Sequence, residues 1–180
     1  MRLKNTLSKT ILASIFIMSS SSLLDARGLV NMNAIKTLSV HGGYSSGDVQ
    51  GTSVSGANIG FEIGKNFMEE KIHGAFGFDY DDLGINTETS SSKSALATMY
   101  LTLGYKFFPD LNTYILGGVS TIDGASGLAY GAGVKYQLIN YLAIDARYKH
   151  ATLTPTSTTG SDLNVNTATV FLELNFQTNK

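Results

Sequence analysis

The stretch Asn164-Val165-Asn166-Thr167-Ala168-Thr169-Val170-Phe171-Leu172-Glu173-Leu174-Asn175-Phe176-Gln177 decides the fold. Ala168, Val170, Leu172, Leu174 and Phe176 fall on one side of it, and Thr167, Thr169, Phe171, Glu173, Asn175 and Gln177 on the other. Successive side chains of a strand point to opposite faces. This alternation is therefore a strand with one apolar and one polar face, ending on an aromatic residue.

The same alternation recurs back toward the N-terminus and predicts eight strands, at 36–46, 53–67, 72–82, 94–108, 112–122, 127–139, 141–151 and 165–177. Each is near or above the roughly 9–11 residues that a tilted strand needs to cross a bilayer. In the fourth, Ala95, Ala97, Met99, Leu101, Leu103, Tyr105 and Phe107 oppose Thr98, Tyr100, Thr102, Gly104 and Lys106. In the seventh, Leu142, Ile144, Ala146 and Tyr148 oppose Ala143, Asp145, Arg147 and Lys149. The fifth has apolar residues on both sides, with Tyr114, Leu116 and Ile122 against Ile115 and Val119, and its register stays open. Connectors after the even strands are tight (Met68–Lys71, Pro109–Leu111, Asn140). Those after the odd strands are longer and polar (Gly47–Thr52, Leu83–Lys93, Asp123–Ser126, Thr152–Asn164). The expected topology puts Ser90 and Thr158 on one side of a membrane and Glu69 on the other.

The start of the chain has a different character. Arg2, Lys4 and Lys9 precede a short apolar core from Thr10 to Met18 and the small residues Ser19 to Ser22. The core is too short for a membrane helix, which needs roughly 20 residues, and the order of regions is that of a secretory signal. Residues 1–26 are read as a signal peptide, with cleavage after Ala26 or nearer Ser22, and 27–180 as one barrel domain. The chain has no Cys, which excludes a lipid-modified cysteine anchor, disulfides and thiolate metal sites. Only 15% of residues are charged and the net charge is −1, so bulk electrostatics recruits no nucleic acid.

Alternation alone does not say which face is inside. The polar faces are rich in Gly, Ala, Ser and Thr, which suits a narrow filled interior better than a water-facing surface. On the apolar faces, Phe67, Tyr105, Phe107, Tyr136 and Phe176 sit near the tight turns, and Tyr44, Tyr80, Tyr130 and Tyr148 near the long loops. Two aromatic girdles flanking an aliphatic band are what two membrane interfaces select. With export, this predicts an all-β, eight-stranded antiparallel up-and-down transmembrane β-barrel with its apolar face outward.

The chain resembles the small eight-stranded outer-membrane barrels of the OmpA/OmpX type over about residues 36–177. The likeness rests on strand count, loop layout, Tyr130-Gly131-Ala132-Gly133-Val134-Lys135-Tyr136, Ile144-Asp145-Ala146-Arg147-Tyr148 and the terminal Phe171-Leu172-Glu173-Leu174-Asn175-Phe176. In many relatives the final Phe is the last residue, whereas Gln177–Lys180 follow here, and the periplasmic peptidoglycan-binding domain of OmpA has no counterpart. The resemblance implies a monomer in the outer membrane of a Gram-negative bacterium, in contact with lipid and lipopolysaccharide. Its loops, rich in Ser, Thr, Gly, Asn and Asp, are free to meet an unidentified surface ligand.

An eight-stranded barrel is just wide enough to be filled by side chains. Glu62, Lys106, Lys135, Asp145, Arg147 and Glu173 are expected inside, three acids against three bases, as a structural charge network. Arg147 is expected to pair with Glu173 and, across the barrel, Glu62. The alternative is a narrow porin-like channel. Asp79, Asp81 and Asp82 are expected at a solvated outer rim. His41 and His73 face inward without the spacing of a metal site. Arg147 to Thr152 is similar to the His-x-Ser-Asn stretch of outer-membrane lipid A deacylases, but Thr152 stands for Ser and Leu153 for Asn. His150 is read as an exposed strand-end residue, and no catalytic site, cofactor or metal is expected.

Overall fold

The computed structural model describes residues 37–68, 71–85, 94–122, 124–156 and 161–177. They form eight strands: β1 Thr37–Val49, β2 Thr52–Phe67, β3 Ile72–Ile85, β4 Ser94–Phe108, β5 Leu111–Ile122, β6 Ala125–Ile139, β7 Leu142–Pro155 and β8 Leu163–Gln177. Each strand pairs antiparallel with the next, and β1 pairs with β8, from Thr37 opposite Gln177 to Val49 opposite Val165. Closure leaves no unpaired edge, the condition for a sheet to survive in lipid. Signal residues 1–26, the loop positions Ser90 and Thr158 and the turn position Glu69 lie outside the described residues.

All eight expected strands are present, and β4 has the expected bounds. The differences concentrate at one end. Opposite the end that holds Thr37 and Gln177, β1 and β3 run three residues further than the alternation indicated, and β7 four. Backbone pairing continues there through Gly47–Val49 and Thr152–Pro155, and in β3 past a register shift between Asp82 and Ile85. One expected long loop shrinks as a result to the two residues Gln50 and Gly51, with φ of 52° and 83°. Positive φ at both central positions is the hairpin turn whose twist matches the flanking strands. The β5–β6 connection is as short, with Gly124 at φ 80°. The contrast of tight and long connectors is thus carried by β3–β4 and β7–β8 alone.

The apolar face is outside. Leu101 and Leu172 are 65% and 55% exposed, whereas Asp145 and Glu173 are 0% exposed. A protein surrounded by water would carry the reverse. The register of β5 is resolved: Asn112, Tyr114, Leu116, Ser120 and Ile122 point inward, and Ile115, Gly117 and Val119 outward.

Candidate functional site

The interior is filled in two tiers. The first occupies the middle of the barrel and centres on Arg147 of β7. Its Nη2 donates to Glu62 Oε1 of β2 at 2.7 Å, its Nη1 to Asp79 Oδ2 of β3 at 2.9 Å, and its Nε to the Tyr114 hydroxyl of β5 at 2.8 Å. The guanidinium also lies 4.6 Å from the ring centre of Tyr100 and 4.9 Å from that of Phe171. A planar, always charged fork suits this position, because it binds several acceptors while its faces stack on rings.

The rings are held in turn. The Tyr100 hydroxyl donates to Glu62 at 2.9 Å and Asp79 at 3.1 Å, and the Tyr114 hydroxyl to Asp145 at 2.6 Å. Each ring lies over a glycine of a neighbouring strand. A Cβ on Gly77 would come within 2.4 Å of the Tyr100 ring, and one on Gly133 within 2.3 Å of Tyr114. Gly77 and Gly133 are therefore space for aromatic plates.

Two lysines flank the arginine. Lys149 donates to Asp81 at 2.8 Å and to the Thr98 hydroxyl at 3.1 Å. Lys135 reaches Glu173 at 2.8 Å, Glu62 at 3.3 Å and Asp145 at 4.0 Å. His41 contacts Asp79 at 2.8 Å through Nε2 and stacks on Phe171. Asp81 also accepts from Ser45 and Asn58. Ions removed from water are costly unless paired and hydrogen-bonded. Among the described residues Glu62, Asp79 and Asp81 each have three or more donors, whereas Asp145 accepts from Tyr114 alone and Glu173 from Lys135 alone.

Of the six expected lumen charges, Glu62, Lys135, Asp145, Arg147 and Glu173 come together. Lys106 does not: it is half-exposed near the terminal end and makes no ion pair among the described residues. Arg147 does not pair with Glu173 either. In the β7–β8 ladder Arg147 is opposite Thr169, and Glu173 is opposite Ala143, four residues nearer the terminal end. Lys135 takes Glu173 instead. The expected balance of three acids and three bases is also corrected. Five acids (Glu62, Asp79, Asp81, Asp145, Glu173) face three bases (Lys135, Arg147, Lys149), with His41 and hydroxyl groups as further donors. Asp79 and Asp81 are not rim residues, because β3 continues to Ile85 and carries them inside. Asp82, of opposite parity, is partly exposed. Their inward parity was readable in the sequence; their depth was not.

The second tier was not foreseen. At the loop end, Val54, Leu83, Leu96, Ile122, Ala125, Ala129, Ala151, Leu153 and Val165 pack together inside the barrel, with Val49 and Leu163 against them. Leu83, Leu96 and Leu153 are within 1% of fully buried. Full burial of such a side chain is worth about 1.5–3 kcal/mol. The signal was apolar residues at inward parity at strand ends, among them Ile122, which had blurred the reading of its strand.

Outside, the aromatics Tyr44, Phe67, Tyr80, Tyr105, Phe107, Tyr130, Tyr136, Tyr148 and Phe176 all lie on the outward face. Phe108 and Tyr141, exposed at the tight turns, join them. His150 also faces outward. It contacts Asn166 Oδ1 at 2.7 Å through Nδ1 and the Thr152 hydroxyl at 3.2 Å through Nε2. His73 faces inward and contacts Asn66 at 2.8 Å. Among the described residues no group of His, Asp or Glu is arranged to hold a metal ion.

Comparison with solved structures returns barrels of the same architecture. The attachment invasion locus protein Ail of Yersinia pestis is 17% identical, covering 79% of this chain and 99% of its own, with a TM-score of 0.57. Neisserial surface protein A is 13% identical over 79% and 96% of the two chains, also at 0.57. A de novo designed transmembrane β-barrel is 16% identical over 79% and 97%, at 0.52. At these identities the likeness is one of fold. No curated protein matches the chain. The model of the outer membrane protein β-barrel domain matches residues 30–176, and the chain belongs to that family.

Proposed function

We propose that this outer-membrane barrel is a closed structural element that presents its loops at the cell surface, and that it neither conducts nor catalyses. The observation that carries this reading is the double filling of the lumen, a hydrogen-bonded ionic tier below a buried apolar one. An ion passing through would have to open both. The chain reaches the outer membrane by export on residues 1–26 and stays there as a monomer, in contact with lipid and lipopolysaccharide. The outward aromatics anchor it at the two interfaces. The five-residue core Glu62, Lys135, Asp145, Arg147 and Glu173, joined by Asp79, Asp81 and Lys149, serves stability.

The alignment of Thr152, His150 and Asn166 has the order of a nucleophile, base and orienting group. It lacks two needed parts. The Thr152 hydroxyl donates to Asn164 Oδ1 at 3.2 Å, and the strand N–H groups around it belong to the β6–β7–β8 ladder, leaving none for an oxyanion. Ail has been crystallised with the heparin analogue sucrose octasulfate. A sulfated ligand is not part of this proposal, because the described loop end here holds Asp48, Asp82 and Asp162 and no outward Lys or Arg.

Planar-bilayer recording on the purified chain tests the reading. The expected trace shows no steady single-channel steps; a steady conductance in the wild type would make the porin-like channel the better account.

A further inference from the structure

We propose that the outward face of β7 and β8 at the loop end binds the sugar headgroup of a glycolipid in the surrounding leaflet; this rests on the membrane-spanning reading above. The side chains there form one connected array. Tyr148 donates to Asn166 Oδ1 at 3.0 Å, His150 contacts the same oxygen at 2.7 Å, and Thr152 bridges His150 and Asn164. Among the described residues, these are the only hydrogen bonds between outward-facing side chains, so the array is a local construction and not a general property of the rim.

Its chemistry points to a neutral sugar. With both Asn carbonyl oxygens engaged, the amide nitrogens of Asn164 and Asn166 are left to donate away from the barrel. Asp48 of β1 lies opposite Asn166 in the ladder; its Oδ1 accepts from the Gly51 N–H at 3.0 Å, and its other carboxylate oxygen is left as an acceptor on the same face. Adjacent donors and acceptors match vicinal hydroxyls. Tyr130, whose ring lies 5.1 Å from that of His150, and Tyr148 are both more than half exposed and offer flat surfaces for the C–H face of a sugar ring. A phosphate headgroup would call for Arg or Lys, and among the described residues none faces outward at the loop end. The position names the source. The array continues directly from the lipid-facing band of Ala168, Val170 and Leu172, one row beyond the tyrosine girdle, at the depth where a lipid's headgroup meets its acyl chains.

The test uses the full chain in detergent, titrated with a neutral galactosyl diacylglycerol and, as sugar-free controls, phosphatidylethanolamine and phosphatidylglycerol; retained lipid is read by native mass spectrometry. The galactolipid should bind about tenfold more tightly than either control, the scale of one or two net hydrogen bonds. Asn164→Ala with Asn166→Ala should abolish that preference, and the isosteric pair Asn164→Asp with Asn166→Asp should weaken it. Thr121→Ala, on the outward face of β5, should leave it unchanged. Heat-modifiable gel migration confirms that each variant is folded. Equal retention of phosphatidylglycerol and galactolipid, or an undiminished preference in both double variants, would overturn the proposal. Neither result bears on conductance, so the closed-barrel reading stands or falls separately.

Discussion

Around Arg147 the lumen is filled by five acids, three bases and two tyrosines whose hydrogen bonds to one another run at 2.6–3.4 Å. Near the loops it is filled by Leu83, Leu96, Leu153, Ile122 and Val165, which need only to touch. Both tiers are buried, but they differ in what they demand. An ionic tier works only if each charge meets its partners, since removing one member strands the others in a poorly hydrated space. An apolar tier depends on volume and tolerates changes of shape. The first should therefore respond to conservative substitution, and the second only to loss of bulk.

The largest effect is expected at the arginine. Arg147→Ala should cost about 3–5 kcal/mol of unfolding free energy, measured by denaturant titration in lipid vesicles, because Glu62, Asp79 and the Tyr114 hydroxyl lose a shared donor. Arg147→Lys keeps the charge and loses the fork, and should recover only part of the loss. Leu153→Ala should cost about 2–5 kcal/mol through the cavity it leaves, whereas Leu153→Met should cost less than about 1.5 kcal/mol. If lysine were tolerated at 147 and methionine refused at 153, the distinction between the tiers would be wrong.

Outside the barrel the same reasoning concerns lipid. Leu101→Arg or Leu172→Arg should cost about 2–4 kcal/mol at the bilayer midplane, and Ser126→Arg, exposed at the loop end, about 0–1 kcal/mol. Equal tolerance would contradict the outward assignment of the apolar face. Below the midplane penalty, Tyr114→Phe should cost about 1–3 kcal/mol by removing the hydroxyl that joins Arg147 to Asp145 while the ring still fills its place over Gly133.

The fold was legible because lipid imposes one rule on every strand. Outward residues are apolar, so parity could be read along β3, β4, β6, β7 and β8 without knowing their partners. That rule weakens where it has nothing to act on. At the loop end Ile122, Leu153 and Val165 are apolar and inward, and strand length there is set by backbone pairing that polar residues sustain equally well. The lumen was legible only to the level of membership. Parity placed Arg147, Glu62 and Glu173 inside and left Asp79 at the rim, but contacts across a barrel depend on strand tilt and stagger, which no single strand encodes. Hence Glu62 was correctly given to Arg147, Glu173 was not, and the role of Asp79 emerged only from the closed sheet.

The central claim is that Arg147 and Glu62, 85 positions apart in sequence, hold the ionic tier as one unit that is independent of the apolar tier. A double-mutant cycle on unfolding free energies in lipid vesicles tests it most directly, using Arg147→Ala with Glu62→Gln and, in parallel, Arg147→Ala with Leu153→Ala. The first pair should show a coupling energy above about 1 kcal/mol, and the second should be additive to within about 0.5 kcal/mol. Additivity in the first cycle, or strong coupling in the second, would contradict the claim.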